Sequence, residues 1–378
     1  MTGKTQVRHL KAQTGARFSR RPTVSIGIHV ESSMRTCPRN SNRGCRRDAV
    51  PATLNDMNDN DSDPDIDSEE YDVAVVGGGA AGLSAALVLS RARRSVAVVD
   101  AGAPRNSPAA HMQGFLSRDG MPPGDLLAVG RDEVQSYGGH LIAGTVATVE
   151  RGTGPGFRVI LANGHQVTAR RLIIATGLRD DLPDIPGIRE RWARDLLHCP
   201  YCHGYEVRDQ QLGVLGGTPD AVQHALLVRQ WSSDVIFFPH TDTLTADDRE
   251  QLIACCIGIV EGPVARLVVD DDHLRGIKLV NGTIVDRTAV FVRPRLIPNT
   301  DLLVGMGCAI DDTGWVKVDQ SGRTSVPGVW VAGNAANPRA QVITAAGEGS
   351  SVAIAVNADL VGQDVQQAVA ASRGGALS

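Results

Sequence analysis

Residues 71–100 constrain this chain more than any other stretch. Tyr71-Asp-Val-Ala-Val-Val76 reads as a short buried strand that runs into Gly77-Gly-Gly-Ala-Ala-Gly82. An apolar helix follows through about Arg91, and a second strand, Ser95-Val-Ala-Val-Val-Asp100, ends on an acid. Strand, G-x-G-x-x-G, helix, strand and acid in this order specify a dinucleotide-binding βαβ unit. Gly77 permits the tight turn and Gly79 lets a pyrophosphate approach the backbone. Gly82 allows close helix–strand packing, and Asp100 is placed for a ribose hydroxyl. The pattern does not by itself distinguish FAD from NAD.

The second chemical centre is His198-Cys-Pro-Tyr-Cys-His-Gly-Tyr-Glu206. Two cysteines separated by two residues at a helix start can close a small disulfide, and at least one thiol of such a pair has a depressed pKa. A structural zinc site needs a second ligand pair at similar spacing. Cys37, Cys45, Cys255, Cys256 and Cys308 supply no second CxxC, so no metal is expected. Cys199 and Cys202 read as a dithiol/disulfide centre.

The totals narrow the setting. A length of 378 residues suggests two or three domains. The 42% apolar content and 41 glycines suit an α/β protein rich in tight strand-to-helix turns. Aromatics at 4% and a net charge of −4 argue against a nucleic-acid or membrane-surface partner. No apolar run reaches transmembrane length, and the cysteine usage points to a reducing compartment, read as the cytoplasm. Residues 1–50 hold eleven Lys or Arg against Glu31 and Asp48, while 51–70 carry eight acids and no base. Residues 1–70 are therefore expected to be a disordered extension. An Arg-rich transit peptide competes with an unstructured tail or a start at Met57, and the second reading is favoured.

From Tyr71 to about Gly362 the chain resembles the thioredoxin reductase-like family of pyridine nucleotide-disulfide oxidoreductases. Leu172-Ile-Ile-Ala-Thr-Gly177 is similar to the strand and turn that close the first FAD half-domain. Thr324-Ser-Val-Pro-Gly-Val-Trp-Val-Ala-Gly-Asn334, with Arg339-Ala-Gln341 and Ala345-Ala-Gly347, resembles the C-terminal FAD motif. Arg105-Asn106 and Gly114-Phe-Leu-Ser-Arg-Asp-Gly120 match the pattern after the first ribose-binding strand. The resemblance implies FAD held by Gly77, Gly79, Gly82, Asp100, Arg105, Asn106, Thr176, Gly177, Gly333, Asn334, Gln341 and Val342. Asn334 stands where the family commonly has Asp; it keeps a carbonyl acceptor for the ribitol and adds donors. Val329–Ala332 reads as a strand, and Gln341 to about Leu360 as a helix whose N-terminus faces the flavin.

The expected fold class is α/β, two doubly wound dinucleotide-binding domains, the second inserted in the first. The FAD domain comprises residues 71–186 and 294–378, and 187–293 form the inserted NAD(P)-binding-like domain carrying the CxxC. Links near Pro186 and Pro294 are candidate hinges. The inserted domain's own fingerprint is eroded. Gln211-Leu-Gly-Val-Leu-Gly216 is a strand and Ala221–Trp231 a helix, but the turn reads Gly216-Gly217-Thr218-Pro219-Asp220-Ala221. Thr218 at the second glycine position obstructs a pyrophosphate, and Asp220 repels one. After the strand Asp234–Phe238 the family's His-Arg-Arg is replaced by Pro239-His240-Thr241, which removes the guanidinium fork for a 2′-phosphate. NADPH binding at Gly216, Gly217 and Ala221 is therefore doubtful, unless a group such as Arg229 substitutes.

By resemblance, Cys202 faces the isoalloxazine and Cys199 exchanges with substrate. His203 occupies the position of the family's acid/base Asp, and an imidazole can accept and return a thiol proton. His198 flanks the pair on the other side, and Glu206 is placed to orient His203. The Cys-Pro-Tyr-Cys-His-Gly run looks like a branch that includes dithiol oxidases of disulfide-containing natural products. The partner is then a thioredoxin-like protein or a small-molecule dithiol or disulfide, and the family implies a homodimer. Electrons run either from NAD(P)H to a disulfide, or from a dithiol to oxygen with peroxide formed. A sensor that does not turn over is the third reading, disfavoured by the intact FAD and CxxC motifs. Cys255 and Cys256 are expected in a helix core, and His111 in a solvated loop near the flavin.

Overall fold

In the computed structural model, which describes residues 69–152 and 156–375, the first strand starts earlier than its hydrophobic run. Glu69 and Glu70 extend the ladder opposite Val167 and Thr168. The boundary expected at Tyr71 therefore moves back by two residues, because backbone pairing, not side-chain apolarity, sets a strand's end. The remainder of the expected N-terminal extension lies outside the described residues.

In chain order the described residues form β1 (Glu69–Val76), α1 (Ala80–Arg91), β2 (Val96–Asp100), α2 (Pro123–Ser136), β3 (His140–Ala143), β4 (Val146–Arg151), β5 (Phe157–Leu161) and β6 (Gln166–Ile174). A crossing strand β7 (Leu178–Asp181) leads to α3 (Ile188–Arg191), β8 (Leu196–Leu197), α4 (Pro200–His203), β9 (Leu212–Leu215), α5 (Ala221–Val228), β10 (Val235–Phe238), α6 (Ala246–Ala254) and β11 (Gly258–Ile259). Then come β12 (Val264–Asp270), β13 (His273–Leu279), β14 (Ile284–Asp286), β15 (Ala289–Val292) and the return strand β16 (Arg295–Pro298). The chain ends in α7 (Asp301–Gly305), β17 (Val329–Val331) and α8 (Val342–Gly375).

Among the described residues these strands make two doubly wound sheets. The larger has the order β3-β2-β1-β6-β5-β4, with β17 also on β6. Its strands β3, β2, β1, β6 and β17 are parallel. The smaller is parallel throughout, in the order β11-β10-β9-β15-β8. Strand β1 shows why the hydrophobic run reads as buried. Val73 and Val75 pack with residues of α1 and α8, while Ala74 and Val76 pack on the opposite face with Phe157, Leu172 and Val331. Successive side chains alternate faces, and both faces are covered. An antiparallel meander β12-β13-β14 packs beside the smaller sheet through Leu267, Leu274 and Ile277.

Strands β7 and β16 pair with each other alone, antiparallel, Asp180 opposite Leu296. The candidate links near Pro186 and Pro294 thus resolve into a two-stranded ribbon. Thr176 and Asn299 clamp its base: Thr176 Oγ1 donates to Asn299 O at 2.9 Å and Asn299 Nδ2 to Thr176 O at 2.8 Å.

Two other expectations are corrected. Helix α8 runs on to Gly375, well past Leu360, and Arg94 and Arg170 bind Asp364 in the turn just beyond that residue, with Gln363 a further partner of Arg170. These contacts hold the helix where the valines after Leu360, Val361, Val365 and Val369, are exposed and not packed into the core. Cys255 and Cys256 are not core: α6 stops at Ala254, Cys256 adopts φ +55°, and both thiols are free and exposed. No helix among the described residues is long and apolar enough to cross a membrane.

Candidate active site

The first glycine turn is shaped as its spacing requires. Gly77 has φ +107°, and a Cβ there would lie 2.4 Å from Ala175 O. A Cβ on Gly82 would lie 1.8 Å from Gly77 O, so this glycine is fixed by helix–strand contact. A Cβ on Gly79 would meet no protein atom within 4 Å. That open side borders a cavity of about 1310 Å³ lined from the ends of β1 and β2, the turn after β6, the loop after β17 and the start of α8. This exceeds the usual range for a drug-sized ligand, roughly 300–1,000 Å³, and suits an extended dinucleotide.

Gly77, Gly79, Asp100, Arg105, Asn106, Thr176, Gly177, Asn334, Gln341 and Val342 all line this cavity. Asp100 Oδ1 accepts from Gly78 N at 3.1 Å, and Oδ2 lies 3.4 Å from Arg131 Nη2. Gly82 and Gly333 support the cavity from outside. Gly333, at φ +69°, donates its N–H to Glu348 Oε2 at 3.0 Å, and Asn337 Nδ2 donates to Oε1 at 2.6 Å. The Asn334 amide explains its departure from Asp: Nδ2 donates to Asn337 O at 2.9 Å and to Ala340 O at 3.0 Å. Its donors hold the loop, and its carbonyl is left for a hydroxyl-bearing ligand. His111 lies exposed at the rim, with Nδ1 3.0 Å from Gly120 O.

The same cavity is walled on its other side by His198, Cys199, Tyr201, Cys202 and His203. Cys199 and Cys202 are joined by a disulfide, Cys199 at the N-cap and Pro200 at the first position of α4. Proline suits that position, where its missing N–H costs nothing. Tyr201 stands edge-on to Trp231, centroids 5.6 Å apart, and Trp231 presses on Gly204, where a Cβ would come 2.8 Å from the indole. The redox loop is thereby seated on one indole.

The two flanking histidines differ. His198 stacks on Trp192 at 6.4 Å. Burial, with Arg105 adding to it and Asp180 opposing, pulls its imidazole down to about 4. Such an imidazole is too weak a base to deprotonate a thiol near neutral pH. His203 is also lowered by burial, but the Glu206 carboxylate pushes back. His203 is thus the better proton acceptor beside the disulfide. A third histidine, His224 on α5, lines the cavity too. It is buried, edge-on to Phe291 at 6.0 Å, and brought down to about 4 chiefly by burial. Nothing in the local sequence marked His224, Trp192 or Asp180; distant segments converge there.

Gly216, Gly217 and Ala221 lie away from the cavity, at the turn between β9 and α5. The Gly217 N–H, which a pyrophosphate would need, donates to Asp242 Oδ2 at 2.6 Å. Asp220 sits at the helix N-cap with φ +57° and pairs with Arg293 at 3.3 Å. His240 Nδ1 accepts from Val264 N at 2.9 Å. Arg229 does not substitute for the missing fork: its Nε and Nη1 donate at 2.9 Å to Cys255 O and Ser232 O. The turn presents a carboxylate and a threonine where a nicotinamide nucleotide would place phosphates, so its residues do not fit that cofactor. Among the described residues no group of three or more His, Cys, Asp or Glu is arranged to hold a metal.

The chain is similar to known proteins in sequence and in fold. The sequence profile described as pyridine nucleotide-disulphide oxidoreductase matches residues 71–350. A thioredoxin reductase, sirT, from Leptosphaeria maculans is 32% identical over 313 residues, 78% of this chain and 96% of the relative. A thioredoxin reductase from Listeria monocytogenes is 28% identical over 316 residues, 80% of this chain and 95% of the relative. Among solved structures, the crystal structure of HlmI is 57% identical with a TM-score of 0.79, covering 80% of this chain and 96% of that one.

Proposed function

The chain belongs to the pyridine nucleotide-disulphide oxidoreductases, in their thioredoxin reductase-like group, and on that premise we propose that its FAD takes electrons from a substrate dithiol through Cys199–Cys202 without NAD(P)H. Members of this group are flavoprotein disulfide oxidoreductases that bind FAD. The observation that carries the finer reading is the Asp242 carboxylate on the Gly217 N–H, while the disulfide and the FAD-motif residues share one cavity.

A substrate thiolate attacks Cys199 Sγ, forms a mixed disulfide and expels Cys202 as thiolate. The second substrate thiol loses its proton to His203 and attacks the substrate sulfur of the mixed disulfide, releasing Cys199. The substrate leaves as a disulfide, two electrons and two protons poorer, and the cysteine pair holds the electrons. The reduced Cys199–Cys202 pair would re-form its disulfide by giving two electrons to bound FAD, whose chemistry would be that of a two-electron acceptor reoxidised by dioxygen to give hydrogen peroxide. Gly77, Gly79, Asp100, Asn106, Thr176, Gly177, Asn334, Gln341 and Val342 are the residues assigned to hold it.

A second reading, reduction of a thioredoxin-like protein, is favoured by the names of the Leptosphaeria and Listeria relatives and needs an electron donor that reaches the flavin. Anaerobic absorbance separates the two. Bleaching by dithiothreitol, with peroxide on readmitting air and no response to NADPH or NADH, is the expected result; rapid bleaching by NADPH would sink the dithiol-driven reading.

The protein acts as a homodimer in this proposal. An apolar stripe on α8, Ile354, Val361, Val365 and Val369, is 43–62% exposed and spaced to share one helix face. Light scattering at micromolar concentration tests this. Free thiols at Cys255, Cys256 and Cys308 suit a reducing compartment such as the cytoplasm.

A further inference from the structure

Arg105 and Asp180 close a two-pronged ion pair across 75 residues of sequence. Arg105 Nε donates to Asp180 Oδ2 at 2.8 Å and Nη2 to Oδ1 at 2.6 Å. Asp180 keeps only 8% of its side chain exposed, so the pair is poorly screened and its geometry is fixed by the planar fork.

Its location gives it leverage. Arg105 belongs to the loop after β2, which lines the cavity beside Pro104 and Asn106. Asp180 belongs to β7, and β7 with β16 carries the chain between the two large sheets. Arg105 and Asp180 both line the cavity whose other wall carries His198, Cys199 and Cys202. One side-chain pair thus ties the cavity loop to the ribbon, within the same cavity that the disulfide walls.

We propose that Arg105 and Asp180 are a positioning pair that locks the β7–β16 ribbon to the cavity loop and so holds the Cys199–Cys202 disulfide toward the flavin. The inference rests on the reading that the disulfide exchanges electrons with FAD. It assigns Arg105 a task beyond lining the cofactor cavity, and Asp180 a task where none was apparent. Weakening the fork at Arg105 leaves the buried Asp180 carboxylate poorly paired, so the ribbon must shift to hydrate it; neutralising Asp180 instead releases the partly exposed Arg105 and its loop from the ribbon.

The experiment uses FAD-loaded Asp180→Asn and Arg105→Lys proteins beside the wild type. Hydrogen exchange is followed at the amides of 178–181 and 295–298. In parallel, dithiothreitol is added anaerobically, and alkylation-trapped thiols at Cys199 and Cys202 are timed against flavin bleaching. In both variants the thiols are expected at the wild-type rate, bleaching roughly a hundredfold slower, and the ribbon amides exchanging faster. Unchanged bleaching and exchange in both variants would overturn the proposal. So would flavin loss in Arg105→Lys with a wild-type Asp180→Asn protein, since Arg105 would then be a cofactor contact alone. If dithiothreitol fails to bleach even the wild type, the dithiol-driven reading falls; ribbon exchange still decides whether the pair locks the ribbon.

Discussion

Asp242 places its carboxylate 2.6 Å from the Gly217 amide, which leaves the turn between β9 and α5 occupied by the chain's own acceptor. A charged acceptor on that N–H is a strong hydrogen bond, and an incoming pyrophosphate would have to displace it against like charge. NADPH is accordingly expected to leave the flavin spectrum unchanged at millimolar concentration. Replacing both Asp242 by Asn and Thr218 by Gly should raise nucleotide affinity at least about tenfold, by removing close to 1.4 kcal/mol of repulsion and obstruction. Nucleotide fluorescence titration measures this.

The cysteines should separate by role. Cys199→Ser is expected to retain long-wavelength flavin absorbance from the Cys202 thiolate, and Cys202→Ser to lose it. Identical spectra would contradict the division into exchanging and flavin-facing sulfurs.

Replacement of His203 by Asn should slow dithiol turnover by about a hundredfold, the lower end of general-base contributions, and abolish the acid limb of the pH–rate profile. Because burial lowers the His203 pKa, that limb should lie below the ordinary histidine value of about 6.5. His198→Asn should leave the limb in place, its imidazole being already neutral above about 4. Stopped-flow rates across pH 4–8, roughly the range that brackets both groups, check both.

Asn334→Asp turns two donor contacts, to Asn337 O and Ala340 O, into oxygen facing oxygen. The expected cost is about 1–3 kcal/mol per unsatisfied buried group, seen as a lower melting temperature and weaker FAD retention. A stability equal to wild type would show that the loop does not depend on the amide.

Acid should destabilise the protein in two windows. His198 and His224 both fall from 6.5 to about 4 on folding, so the unfolded chain binds more protons between these values. Stability is complete above about pH 6.5 and declines as pH falls toward about 4, by a few kcal/mol for the pair. Asp364 and Asp311 are lowered from 3.8, chiefly by side-chain hydrogen bonds from Arg170 and Thr313, and their contribution fades only below that. In His224→Phe the melting temperature should respond less between pH 6.5 and 4.

What could be read in the sequence was what is written locally. The β1–α1–β2 unit, the strand β6, the CxxC at a helix start and the damaged turn at Thr218 all rest on contiguous residues whose types dictate backbone form. The contacts that decide chemistry were invisible because they join distant segments: Arg105 with Asp180, Asp242 with Gly217, His224 with the wall behind His198. Cys255 and Cys256 misled for a related reason. Their apolar neighbours suggested a buried helix, but α6 ends one residue earlier and turns them outward. The C-terminal length of α8 was likewise hidden: beyond Leu360 its core contact is replaced by ion pairs from Arg94 and Arg170 to Asp364, while its valines are exposed.

The β7–β16 ribbon also bears on how such a protein can change. With Asp181 opposite Arg295 and Leu178 opposite Pro298, the disulfide-bearing segment leaves and re-enters through adjacent strands. Its two ends are neighbours, so the segment is joined to the rest of the chain through one pair of adjacent strands. Recombination at these strands could exchange one redox cassette for another while the sheet around the glycine turn stayed intact. A lineage could in this way acquire a new thiol partner without rebuilding its cofactor site.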